Sequence, residues 1–398
     1  MSLNILSVHN KYLIRGGEDG SFAAKNALLE QMGHRITLHV ENNTRVEQLG
    51  KVRTAAKTIW SKETTLSIRG LLRENRIDLI ECENTFPLIS PSIYYAAREM
   101  NVPILQNVRN YRLICPNALF FREGRVCEDC LGKFVPWPGI KNKCYKESLA
   151  GSATVAAMLT THRALGTWQD KVSLYIALTD FARDKLIQGG FPADRITVRP
   201  NFVPDPGEGK GEGGFALYVG RLSPEKGIDT MIDAWKTMNP NIPLKIAGDG
   251  PLTEEVKRDI AGYNNISYIG AKDIQEVYQL MGEARLLIFP SVWYEGLPRT
   301  IIESYAKGTP VIASKLGAME SIVIDGVTGG HFKPGSAKHL AQQVETYWNA
   351  EEKLRRMRDN ARREFEAKYT ADRYYERSMQ IYEDVLSRHR QNRQRLSY

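Results

Sequence analysis

Two carboxylates separated by seven residues, Glu295 and Glu303, sit in the segment Phe289-Pro290-Ser291-Val292-Trp293-Tyr294-Glu295-Gly296-Leu297-Pro298-Arg299-Thr300-Ile301-Ile302-Glu303. An apolar run ends near Pro290, a loop carries Glu295 and Gly296, and Pro298 stands where the first turn of a helix tolerates proline. Glu303 then falls in the second turn. A helix N-terminus beside two carboxylates, at the C-terminal edge of a parallel sheet, combines N–H donors for a phosphate with acceptors for sugar hydroxyls. That pairing suits a nucleotide sugar; a capping Glu303 and a solvated loop Glu295 would be the plain alternative.

A complementary segment weighs against the plain alternative. Leu217-Tyr218-Val219-Gly220-Arg221-Leu222-Ser223-Pro224-Glu225-Lys226-Gly227 places Arg221 and Lys226 in a loop after another apolar run. In a parallel sheet this loop opens on the same edge as the loop of Glu295. An arginine fork and a lysine point charge can hold a diphosphate leaving group, so no catalytic divalent metal is expected. Nearer the N-terminus, Arg15-Gly16-Gly17-Glu18 follows the first apolar run and precedes a helical stretch, and its paired glycines allow close approach of a ligand to the backbone. It is no dinucleotide fingerprint, because G-x-G-x-x-G is absent.

These side chains must be held by a framework, and the chain supplies one. Short apolar runs at 5–8, 36–40, 79–81, 104–107 and 174–177, and again at 216–219, 244–247, 266–269, 286–289 and 311–313, alternate with helical-period stretches such as 20–31, 228–238, 274–281 and 299–307. This alternation predicts two α/β, doubly wound parallel sheets. The length of 398 residues also suits two domains. Between them, Pro200 to Pro206 runs into a glycine-rich stretch ending at Gly214, which reads as a hinge. Lys210 in that stretch is followed by Gly211 rather than Ser or Thr, so it is no phosphate loop. The domains expected are 1–200, with a cysteine-rich insertion at about 115–146 and a returning C-terminal helix at 372–398, and 201–371.

Taken together, the Gly16-Gly17-Glu18 loop, Leu113-Ile114-Cys115-Pro116-Asn117, Gly220-Arg221 through Lys226-Gly227, Ala247-Gly248-Asp249-Gly250-Pro251 and the Glu295/Glu303 pair resemble glycosyltransferase family 4 over nearly the whole chain. The resemblance implies the GT-B fold: two Rossmann-like domains, a cleft between them, and a last helix that crosses back to the first. It implies a retaining enzyme whose second domain binds a nucleotide diphosphate sugar and whose first binds a glycan or lipid-linked acceptor, with surface polysaccharide synthesis as the setting. Arg221 and Lys226 would hold the diphosphate, Glu303 the ribose, and Glu295 the sugar hydroxyls, assisted by the backbone of Gly296 and Leu297. Gly16 and Gly17 would face the donor from the first domain. Many members carry a histidine ahead of the Asn-Tyr-Arg that precedes Cys-Pro. This chain has Arg109 there, which can stabilise negative charge but cannot accept a proton at neutral pH. Arg109 is therefore a candidate catalytic residue, and the alternative is a nucleotide-sugar-binding protein with impaired or lost catalysis. His9 and His162 are read as structural.

Cys115, Cys127, Cys130 and Cys144 cluster around one C-x-x-C and suit a structural zinc site. Lysines, arginines and aromatics interleave there, including Lys133, Phe134, Trp137 and Lys146. The loop either rests on an anionic membrane interface or is simply solvated.

The net charge is +8, and it is uneven: residues 1–200 hold 27 basic and 19 acidic side chains, while the rest is balanced. Because Arg221 and Lys226 lie in the balanced half, the excess calls for its own anionic partner, an acidic acceptor or a membrane bearing one. Basic residues form no nucleic-acid motif, so no nucleic acid is expected. No run of about 18 apolar residues occurs, the start lacks a signal-peptide pattern and the five cysteines are odd in number. A cytoplasmic, possibly membrane-associated location is the expectation.

Overall fold

The computed structural model describes residues 2–13 and 17–396, without the side chains of 395 and 396. Two compact units emerge: Met1–Phe120 with Glu128–Pro200 and Tyr374–Tyr398, and Phe121–Cys127 with Asn201–Arg373. The short segment 121–127 thus groups with the second unit.

The first unit is built on strands β1 (Asn4–Lys11), β2 (Arg35–Asn42), β3 (Leu79–Cys82) and β4 (Ile104–Val108). After a two-stranded hairpin, β5 (Phe121–Arg122) and β6 (Arg125–Val126), come β7 (Leu174–Ala177) and β8 (Ile196–Val198). Its sheet is parallel, in the order β2-β1-β3-β4-β7-β8, so the winding reverses between β1 and β3. Strands β3 and β4 are buried along their whole length, as expected for a sheet covered on both faces. One cover is the C-terminal helix Ala371–Leu396, whose Ile381, Tyr382 and Val385 pack with Leu3, Ile5, Leu79, Leu105 and Ile176. The predicted return of the last helix is thus observed as part of the first unit.

The second unit carries β9 (Ala216–Val219), β10 (Leu244–Ala247), β11 (Ile266–Gly270), β12 (Leu286–Phe289), β13 (Val311–Ser314) and β14 (Gly329–Phe332). They form a parallel sheet in the order β11-β10-β9-β12-β13-β14, reversing between β9 and β12. Leu244, Ile246, Leu286, Ile288 and Ile312 from its strands meet Met231, Ile232 and Trp235 from the helix Ile228–Thr237 in one core. The helix Ile274–Glu283 starts with a capping box: Asp273 accepts from the Glu276 N–H and the Glu276 carboxylate accepts from the Asp273 N–H.

Strands β8 and β14 were absent from the sequence-based framework. For β14 the reason is chemical: it opens with Gly329-Gly330, which lack β propensity. A Cβ on Gly329 would stand 1.9 Å from the Val311 carbonyl oxygen, so the strand needs glycine to approach its neighbour. Pro298 also sits one residue earlier than expected, as the cap before the helix Arg299–Ala306. No helix among the described residues is long and apolar enough to cross a membrane.

Candidate nucleotide-sugar site and a buried charged cluster

In an open parallel sheet the loops at the reversal of strand order leave room for a ligand. In the second unit those loops follow β9 and β12, and both carry the residues singled out by sequence. They are tied together: the Val292 N–H donates to the Glu225 carbonyl at 2.9 Å. Gly227 has φ +68°, and a Cβ on it would lie 2.1 Å from the Pro290 carbonyl oxygen, so glycine is required where the loops touch. The loop after β10 joins through Gly248, where a Cβ would fall 1.9 Å from the Gly220 carbonyl oxygen.

Three donors converge on one oxygen at this place. Glu295 Oε1 lies 2.8 Å from Lys226 Nζ, 2.8 Å from Ser291 Oγ and 2.9 Å from Trp293 Nε1. Lys226 also faces the Trp293 ring at 5.4 Å. Glu295 is 6% exposed, so these donors rather than bulk water satisfy its oxygen. Arg221 is exposed, and its guanidinium has no ion-pair partner among the described residues. Gly296 and Leu297 form the loop directly before the helix Arg299–Ala306. Glu303, also 6% exposed, accepts from Arg299 Nε at 2.7 Å. Burial pushes the Glu303 carboxyl above its ordinary value, with Arg299 opposing.

Arg299 was missed at the level of sequence. Its signal was present: it stands four residues before Glu303 on one helix, the spacing at which side chains meet. The structure thus assembles Lys226, Glu295, Gly296, Leu297 and Glu303 around one sheet edge, but it binds Lys226 to Glu295 instead of presenting both separately.

The first unit holds a different arrangement. Gly16 lies outside the described residues. Gly17 opens the helix Gly17–Gln31 and is exposed, with open space where a Cβ would be. Arg109 follows β4, and its side chain is 4% exposed, with Nε 2.6 Å from Glu83 Oε2. Glu83 also binds Lys25 at 2.8 Å, while Glu81 binds Arg199 at 2.6 Å and accepts from Asn107 at 2.7 Å and from the Tyr382 hydroxyl. Burial alone would raise both carboxylates, but Lys25 with Arg199 holds Glu81, and Arg109 with Lys25 holds Glu83, well below the usual range. None of these partners of Arg109 was visible in the sequence, because they come from separate strands and helices.

Glu18 is another residue the sequence reading did not single out by itself. It accepts from the Tyr12 hydroxyl at 3.1 Å, and Oε1 is buried without a hydrogen-bond partner. Burial pushes its carboxyl up to about 7, with Arg109 opposing. A folded-state value raised above the unfolded value of 4.5 costs stability as pH rises between the two, and the cost is complete above 7. Glu18→Gln is therefore expected to stabilise the protein by about 3–4 kcal/mol at pH 8, at about 1.4 kcal/mol per unit, and by far less at pH 4.5. Denaturant midpoints at the two pH values check this; an equal effect at both would contradict it.

The two histidines are engaged structurally. His162 shares its Nδ1 with Thr167 at 2.9 Å and its Nε2 with the Ile59 carbonyl at 2.9 Å, and His9 Nε2 pairs with Asp19 at 2.8 Å. Among the described residues no three cysteine, histidine or acidic side chains are gathered where one metal ion could be held. Cys115 Sγ donates to Asn117 Oδ1 at 2.9 Å, and burial raises its thiol pKa.

Residues 205–364, all in the second unit, match the family model described as glycosyl transferases group 1. An uncharacterized glycosyltransferase of Methanocaldococcus jannaschii is 31% identical over 179 residues, 44% of this chain and 50% of that protein. The O-antigen chain mannosyltransferase C of Escherichia coli is 30% identical over 176 residues, 43% of this chain and 47% of its own length. The chain therefore spans about half the length of these relatives. The crystal structure of Anabaena HepE in complex with UDP superposes with a TM-score of 0.68, at 17% identity, covering 96% of this chain and 100% of the other. The fold is the GT-B class expected, with two Rossmann-like units.

Proposed function

We propose that this protein is a retaining glycosyltransferase of family 4, moving a hexose-type sugar from a nucleotide diphosphate donor to a glycan or lipid-linked acceptor in surface polysaccharide synthesis. The observation that carries the reading is the convergence of Lys226, Ser291 and Trp293 on Glu295 at the switch point of the second sheet, with Glu303 on the adjoining helix. A diphosphate is held there by exposed Arg221 and by Lys226, which exchanges its bond to Glu295 for the phosphate. Glu295, released from the lysine, accepts from sugar hydroxyls, and Glu303 accepts from the ribose. The departing phosphate oxygen takes the acceptor proton on the same face, so no protein nucleophile is needed. Support also comes from the group 1 match over 205–364 and from the UDP carried by the superposed Anabaena structure.

A peripheral membrane contact accompanies this reading. Phe134, Trp137 and Leu149 are exposed beside Lys133, Lys141 and Lys143, a composition suited to an anionic interface.

A panel of nucleotide diphosphate sugars tests the function. The true donor is expected to raise the melting temperature, as any ligand of the native state does, and to be turned over with the acceptor. No stabilisation by any nucleotide diphosphate would overturn the reading. One observation favours a second reading, binding without transfer: Glu83 neutralises Arg109, leaving no acid–base group at that point. Stabilisation without turnover on any acceptor would select it.

A further inference from the structure

In the first unit, the loop after β4 lines a small cavity together with residues that follow β3. Its walls include Thr85, Phe86, Ser90, Arg109, Asn110 and Arg112. Two of these are cations, and they are treated differently by the fold. Arg109 is neutralised by Glu83 at 2.6 Å. Arg112 has no carboxylate within ion-pair distance among the described residues.

The guanidinium of Arg112 is nevertheless fixed. It lies 4.8 Å from the centre of the Phe86 ring and 4.9 Å from that of Tyr145, which meet edge to face, and Nη1 donates to the Pro116 carbonyl. Two aromatic faces and a carbonyl orient the fork without neutralising it. The contrast with the neighbouring cluster is informative. There Lys25, Arg109 and Arg199 are each brought to a carboxylate, as buried charge normally requires. Near Arg112, Glu18 instead accepts from Tyr12 and Asn110. Burial lowers the Arg112 pKa, as expected for a cation whose counter-charge is absent.

We propose that this cavity is a binding subsite for an oxyanion carried by the acceptor, a phosphate or a carboxylate, received by the guanidinium fork of Arg112. A fork with free N–H groups matches either oxyanion in a bidentate way, and a partly dehydrated site strengthens the bond. Thr85 in the wall adds a hydroxyl of the kind that completes an oxyanion's coordination, whereas Asn110 already donates to Glu18 and Ser90 is engaged with Ser92. The assignment of the anion to an acceptor rests on the glycosyltransferase reading; the binding of the anion does not.

The test uses the full chain with three probes, inorganic phosphate, pyrophosphate and glucuronate, titrated by calorimetry at low salt. Pyrophosphate stands for a lipid diphosphate headgroup and glucuronate for an acidic glycan. The variants are Arg112→Gln, Arg112→Lys and Arg221→Ala, the last removing the proposed diphosphate contact of the second unit. At least one probe is expected to bind the wild type and Arg221→Ala alike, about tenfold or more weaker in Arg112→Gln, and with intermediate affinity in Arg112→Lys, since one lost charge-assisted bond is worth roughly a factor of ten. The tightest probe identifies the source. If Arg112→Gln does not fold, Arg112→Lys decides. The proposal is overturned if no probe shows this pattern, whether because binding survives unchanged in the Arg112 variants, is lost in Arg221→Ala or is absent. Failure of the enzymatic reading would show differently, as absent donor stabilisation with phosphate binding retained.

Discussion

Glu81→Ala is expected to destabilise the first unit by about 3–5 kcal/mol, because it strips the carboxylate from a buried arginine. Glu81 is fully buried and takes Arg199 at 2.6 Å, Asn107 at 2.7 Å and the Tyr382 hydroxyl, with Lys25 at 3.5 Å. Truncation leaves Lys25, Arg109 and Arg199 with only Glu83 among the carboxylates of the cluster. It also removes the acceptor that fastens the C-terminal helix, since both Tyr382 and Ser378, which accepts from Arg199, lie on it. Tyr382→Phe, which deletes one hydrogen bond to a charged group, should cost about 1.5–3 kcal/mol. Urea unfolding followed by a probe in the first unit distinguishes the two, because a chain with two units need not unfold in one step. A Glu81→Ala protein within about 1 kcal/mol of wild type would mean that the cluster relaxes or that water enters it.

The largest effect on activity is expected at Glu295. Glu295→Gln keeps the shape of the side chain but removes the charge on which Lys226, Ser291 and Trp293 converge. A turnover loss of about 10²–10³-fold follows if the carboxylate holds sugar hydroxyls more strongly as charge develops at the reacting carbon. Because the diphosphate contacts proposed for Arg221 and Lys226 remain, stabilisation by the nucleotide diphosphate alone should persist. Loss of kcat with retained nucleotide binding separates a role in the transition state from one in holding the loop together. Turnover within threefold of wild type would remove Glu295 from the site.

Much of this site could be read in advance because its residues are local. Arg221 to Lys226 and Glu295 to Glu303 each occupy one loop–helix junction after a strand, so spacing along the chain converts directly into position. The strands of the interior were equally legible, since burial on both faces demands continuous apolar runs. Where glycine replaced that pattern, as in Gly329-Gly330, steric need at a close approach outweighed propensity and the strand was invisible.

The cysteines lie in a segment of another kind. Four thiols within thirty residues suit one zinc site by their spacing. Their placement depends on how the loop between β4 and the helix Leu149–Ala164 folds, and in that fold Cys115 spends its donor on Asn117. Spacing in a long irregular segment does not fix distance, as it does within a helix or between adjacent strands.

The sequence by itself determined two doubly wound units, a sheet edge in the second that carries Arg221, Lys226, Glu295 and Glu303, and an excess of positive charge in the first. Strand runs, loop glycines and charge are properties of neighbouring residues and need no knowledge of distant contacts. Only the tertiary structure decided which cations are neutralised. Lys25, Arg109 and Arg199 are gathered on Glu81 and Glu83 from separate elements, whereas Arg112 is left with two aromatic rings and a carbonyl. Net charge counts all these residues alike, but burial makes each ion pair depend on geometry within a few ångströms, and such distances are set by packing.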